Sequence, residues 1–207
     1  MRLQQSDPIF NMGFDVMSPT YNFEPQYRVT MLKREHWTKA TVAPPAVKGL
    51  VWFTVGCKMR AGTGDRVYGE TVGHRLKFSL GRYAKAFWAE IYVILACAYG
   101  NKSQNRPDKY VSICSDSLAT LKALKVFRTT SPLVLQCQKM LNDISIRYTV
   151  GLIWVLGHAG IRGKEIADGI VSGRSALRFL EPQPAFGVSR RDLQKTIGRW
   201  LLNQHGA

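Results

Sequence analysis

Apolar and polar positions are weakly ordered over residues 1–47 and sharply ordered from Gly49 onward. Leu50-Val51-Trp52-Phe53-Thr54-Val55 is a short run of apolar and β-branched residues, the pattern of a buried strand. Gly56 and the stretch Ala61-Gly62-Thr63-Gly64 supply the turn after it. Residues 66–72 and 74–80 read as two further strands joined tightly at Gly73, which completes an antiparallel meander. The period then changes. Phe87, Ile91, Ile94, Leu95 and Ala98 recur at helical spacing, so residues 84–99 are predicted to form a helix, with Glu90 inside its apolar stretch. A polar loop over 102–108 leads into the strand Tyr110-Val111-Ser112-Ile113-Cys114-Ser115, which runs directly into Asp116. Residues 117–126 are helical in pattern. Ser131-Pro132, an N-cap serine before a first-turn proline, opens another helix that extends to about residue 147. Residues 148–155 give the last strand and 156–163 a glycine-rich loop holding His158. A final helix begins near Lys164 and carries Glu165 and Asp168.

This order implies an α/β domain. Strands that alternate with helices in the second half call for right-handed crossovers and parallel neighbours, while the opening meander is antiparallel. The expectation is a mixed five-stranded sheet with helices on both faces. Residues 1–47, ending in Ala43-Pro44-Pro45-Ala46, read as an extension or linker, residues 48–176 as the domain, and 177–207 as a basic extension.

Charge sharpens the picture. The chain has 29 Lys and Arg against 14 Asp and Glu, a formal net charge of +15, which points to an anionic partner such as nucleic acid; a merely solubilising basic surface is the alternative. Lys122, Lys125, Arg128, Arg190, Arg191, Lys195 and Arg199 are the basic residues that would support a non-catalytic nucleic-acid-binding module. Cys57, Cys97, Cys114 and Cys137 form no C-x-x-C pair, so buried reduced thiols are expected rather than a zinc site. Residues 1–20 lack an apolar signal segment, and the run over 91–99 is too short to span a bilayer. An intracellular protein that does not enter the membrane is the expectation, with nucleus and cytoplasm equally open.

Three carboxylates stand at distinctive places: Glu90 on the apolar helix, Asp116 at a strand end, and Asp168 near the start of the last helix. Brought together they would repel one another and call for protons or bound cations. An all-oxygen set suits Mg2+ or Mn2+. Two such ions roughly 4 Å apart would stabilise both the attacking and the leaving oxygen in phosphodiester cleavage. Each has a plainer reading. Glu90 could reach solvent or pair with a lysine, Asp116 could cap the following helix, and Asp168 could be a solvated helix residue. His158 could move a proton or sit on the surface as an ordinary histidine.

Several of these segments resemble type 1 ribonucleases H. Cys114-Ser115-Asp116-Ser117 followed by Leu121-Lys122-Ala123-Leu124 is similar to that family's strand-to-helix segment, and Ala89-Glu90-Ile91-Tyr92 to its helix-borne glutamate motif. The run from Trp154 through Gly157-His158-Ala159-Gly160 and Gly163-Lys164-Glu165-Ile166-Ala167-Asp168 resembles the family's final motif, W-x-P-G-H-x-G-x-x-G-N-E-x-A-D. The resemblance covers roughly residues 49–175 and is nearest to the RNase H domains of jockey-like non-LTR retrotransposon polyproteins. The leading segment would then be the tail of a reverse transcriptase.

That resemblance implies a five-stranded RNase H-like fold and cleavage of the RNA strand of RNA–DNA hybrids with two Mg2+ (or Mn2+) ions. Glu90, Asp116 and Asp168 would hold metal and His158 would assist product departure. Lys58, Ser117 and Lys122 would contact phosphates, with hybrids read by backbone geometry and the 2′-OH. The chain departs from the family at the end of the first strand. Where the family has T-D-G-S, this chain has Thr54-Val55-Gly56-Cys57. A valine offers no lone pair, so weakened metal binding and a rate loss of several powers of ten, or no cleavage, are expected. Asp65 is no obvious substitute, because it lies across the following turn. Leu156 for proline and Lys164 for asparagine read as milder changes.

Overall fold

The computed structural model describes residues 16–31, 47–59, 62–71, 73–79, 85–102, 107–157 and 161–169, together with residues 194–195, 198–199 and 202. The elements in chain order are β1 (Thr20–Tyr21), β2 (Arg28–Thr30), β3 (Leu50–Met59), β4 (Gly62–Gly69), β5 (His74–Ser79), α1 (Ala86–Lys102), β6 (Tyr110–Ser115), α2 (Leu118–Lys125), β7 (Arg128–Thr129), α3 (Pro132–Ser145), β8 (Thr149–Trp154) and α4 (Arg162–Asp168).

The expected α/β architecture is present, with β8-β6-β3-β4-β5 as the five-stranded body of a mixed sheet. β3 pairs antiparallel with β4, and β4 with β5, as the meander predicts. β6 lies parallel to both β3 and β8, from Leu50↔Val111 to Thr54↔Ser115 and from Tyr110↔Thr149 to Ser115↔Trp154. Gly73 holds the tight β4–β5 connection with φ +66°, a backbone state that glycine adopts without steric cost.

Two differences from the sequence reading have clear causes. The β3–β4 hairpin is longer than expected, because Gly62 and Gly64 belong to β4 and pair with Met59 and Cys57 instead of forming an open turn. The segment read as an extension also joins the fold. Arg28–Thr30 adds a sixth strand at the sheet edge, parallel to β8, and Thr20–Tyr21 pairs antiparallel with β7. Tyr27, Val29 and Met31 alternate inward there, and the buried Tyr27 hydroxyl donates to the Leu124 carbonyl over 2.7 Å.

Alternation along the strands sorts the core into two layers. Leu50 and Trp52 of β3, Val111 and Ile113 of β6, and Val150 and Leu152 of β8 face α1, α2 and α3. Phe53, Val55, Cys114, Ile153 and Val155 face the opposite way, towards Ala167 of α4. Helix α1 is buried nearly all round, from Trp88 through Ala98, because it is sandwiched between the sheet and α3. Helix starts follow local chemistry. The hydroxyls of Ser117 and Ser131 accept from the backbone N–H groups of Thr120 and Val134, and Pro132 occupies the first turn of α3.

Candidate functional site

Thr54, in the middle of β3, is the register partner of Ser115, the last residue of β6, so Asp116 leaves β6 beside the middle of its neighbour. Three connections meet here. Ser115 on β6 points towards α1 and donates its hydroxyl to Glu90 Oε2 over 3.2 Å. The same hydroxyl oxygen accepts from the backbone N–H of Ser117, which fixes the turn into α2. Next along the chain, Asp116 turns the other way: its Oδ2 lies 3.0 Å from Lys164 Nζ on α4. Lys164 in turn donates to the Thr54 carbonyl over 2.9 Å. Ser115 thus contacts Glu90 on the α1 side, whereas Asp116, the next residue, is held on the α4 side and joined to β3 through Lys164.

Glu90 is 5% exposed, which sets aside the reading of a side chain reaching into solvent. Asp116 does not cap α2, since Ser117 does so. The Asp116 carboxylate needs room on its other side: a Cβ at Gly157 would approach Oδ2 to 3.1 Å. Its own carbonyl accepts from the Trp154 indole N–H over 3.2 Å, tying β8's end to the same turn. Asp168 lies one turn of α4 beyond Lys164. Its carbonyl accepts from the Arg66 guanidinium, and Arg66 is the register partner of Val55. Asp168 as a residue is half-buried, and its Oδ2 is buried with no hydrogen-bond partner among the described residues.

Val55 is 7% exposed and packs with Phe53, Cys114, Ile153, Val155 and Ala167. Its isopropyl group contributes to an apolar cluster and offers nothing to a cation. Asp65 pairs with Gly56, one position beyond Val55, within β4 rather than ahead of it. Among the described residues, no group of three or more His, Cys, Asp or Glu side chains is arranged to hold a metal ion. Lys164 takes an oxygen of Asp116 and Val55 supplies none, so these residues as placed do not fit a pair of divalent ions.

The remaining site expectations divide. His158, Arg190 and Arg191 lie outside the described residues, and Lys58 falls on β3 at a position whose side chain is likewise outside them. Ser117's hydroxyl contacts Thr120 Oγ1 at 2.8 Å and accepts from the Thr120 N–H, so its first role is the helix cap. Lys122, Lys125 and Arg128 are all exposed along α2 and β7, and Lys195 and Arg199 are exposed as well. Lys122 and Lys125 also sit in the last turn of α2, where a cation is favoured by the helix dipole.

Lys164 is the residue that sequence reasoning undervalued. A lysine only 1% exposed is exceptional, because burying an ammonium is costly unless it is paired and hydrogen-bonded. The available signal was Gly163 beside it: a Cβ there would overlap the Phe53 ring, so α4 lies close enough to β3 for the next side chain to reach the Thr54 carbonyl. No helix of the described residues is long and apolar enough to cross a membrane. Compared by sequence with known protein families and with curated proteins, the chain matches none.

Proposed function

We propose that this chain is an RNase H-like, retrotransposon-derived domain that binds nucleic acid, RNA–DNA hybrid by resemblance, and whose hybrid cleavage is impaired or lost. The observation that carries the reading is the set of residues around Ser115. At the end of β6, Ser115 contacts Glu90 on one face and Asp116 turns to Lys164 on the other, with Asp168 on the same helix as that lysine, while Val55 in the middle of β3 offers only hydrocarbon. A divalent ion, Mg2+ or Mn2+, would have to engage Glu90, Asp116 and Asp168 against the Lys164 ammonium, so weakened metal binding is part of the proposal. Binding itself would rest on backbone phosphates. The exposed Lys122, Lys125 and Arg128 support that, and they equally favour the second reading, a module that binds without any chemistry.

The test is a hybrid-cleavage assay in Mg2+ and in Mn2+ beside hybrid binding measured across a salt series. The expected result is binding that weakens steeply with salt and cleavage no greater than that of Asp116→Asn. Efficient turnover that Asp116→Asn abolishes would overturn the impaired-nuclease reading. Binding that is insensitive to salt, or absent at low salt, would overturn nucleic-acid recognition in both readings.

A further inference from the structure

Lys164 accounts for this part of the sheet in a way that no carboxylate there does. Its amine is enclosed, 1% exposed, on a seven-residue helix, and two of its three N–H groups have named acceptors: the Thr54 carbonyl at 2.9 Å and Asp116 Oδ2 at 3.0 Å. One acceptor lies on β3 and the other immediately follows β6, and the two strands run side by side. The ammonium therefore bridges the middle of β3 and the turn after β6 and compensates the Asp116 carboxylate, the two tasks a bound cation would perform at such a place. Arg66 adds a second positive charge on the same side through the Asp168 carbonyl.

We infer that Lys164 is the resident cation of this site: its ammonium, fixed between Thr54 O and Asp116, holds the position a divalent ion would need, and Val55 is compatible with the fold because of it. This rests on the reading of this region as an RNase H-like site and deepens it. Supplying an oxygen at position 55 is then insufficient to create a metal site. A carboxylate introduced there would meet the Lys164 ammonium and form a further ion pair rather than an empty cradle. Lys164 must also be replaced by a neutral side chain.

The experiment compares thermal unfolding of the whole chain in EDTA and in excess Mg2+, for wild type, Val55→Asp, Lys164→Asn and Val55→Asp/Lys164→Asn. Wild type and Val55→Asp are expected to unfold at the same temperature in either solution. The double variant is expected to gain on the order of 5 °C from Mg2+, the response of a folded state that alone binds the ion. A Mg2+ response in wild type, or one in Val55→Asp equal to that of the double variant, would overturn the inference. Should the Lys164 variants fail to fold, reductive methylation of the wild-type chain still decides the matter. Lys164 should stay unmodified while Lys122 and Lys125 react, and labelling of Lys164 at their rate would overturn the assignment. Hybrid binding by wild type involves neither Mg2+ nor these variants. Its absence would remove the proposed function and leave the melting pattern to judge Lys164 alone.

Discussion

The two faces of the sheet are built on different principles. On one side, three helices cover Trp52, Val67, Ile113 and Leu152 with a layer of hydrocarbon. Ile91, Ile94 and Leu95 of α1 and Leu141 of α3 are buried within it. On the other, among the described residues, one helix of seven residues covers Phe53, Val55 and Cys114, and it is tied down by a lysine, an arginine contact and a glycine–phenylalanine approach. A helix that short has little stability of its own, so its place depends on these few contacts. The first face distributes stability over many interchangeable apolar contacts. The second concentrates it in particular groups at particular positions, with Asp116 and Asp168 among them.

The largest difference should appear when each face is disturbed at β3. Trp52 is 1% exposed, and its indole N–H donates to Asn101 Oδ1 over 3.3 Å. Trp52→Ala is expected to remove about 3–5 kcal/mol of unfolding free energy, through lost burial and the cavity left behind. Gly163→Ala, one methyl group on the other face, is expected to cost about 1–3 kcal/mol, because the new Cβ overlaps the Phe53 ring and either α4 or the ring must shift. Urea unfolding measures both. The mechanism has its own check: Phe53→Leu in the Gly163→Ala background should recover part of the loss. Strictly additive losses would mean that the ring is not the obstacle, and a Gly163→Ala cost above that of Trp52→Ala would reverse the ranking of the two faces.

Legibility in the sequence follows the same division. Period-2 and period-3.6 patterns identify the long strands and the helices facing the hydrocarbon layer, because those patterns arise from area burial and from nothing more specific. The short edge strand β2 escaped, although Tyr27, Val29 and Met31 carry the alternation, because three residues among scattered charges are a weak periodic signal. At the site, Glu90 and Asp116 stand out by position, one in an apolar helix and one at a strand end; Glu90 contacts Ser115 on the α1 side and Asp116 contacts Lys164 on the α4 side. The pairing of Asp116 with Lys164 joins residues 48 positions apart, and no local pattern encodes it. A lysine in a helix ordinarily reads as solvated. Only the closeness of α4 to Phe53, which Gly163 permits, turns it inward.

Cysteine chemistry offers the finest probe of the comparison, since each face holds its own thiols. Cys97 and Cys137 belong to the hydrocarbon layer and Cys114 to the α4 side, and all three are free and buried. Burial pushes the Cys114 thiol up to about 12, with the Glu70 carboxylate adding to the rise, and burial raises Cys97 and Cys137 as well. A thiol that is harder to ionise folded than unfolded adds stability in full below about pH 9, and that contribution declines as pH rises towards 12. Near pH 8, alkylation of any of the three therefore requires an opening that frees the thiol. If α4 is held by a few contacts, the opening that exposes Cys114 needs only that helix to detach, whereas Cys97 and Cys137 require the layer between the sheet and α1–α3 to open. Mass-mapped alkylation should therefore label Cys114 before the other two, and Gly163→Ala should widen the interval. Simultaneous labelling of all three would mean that both faces open together, and the distinction between them would then describe composition but not energetics.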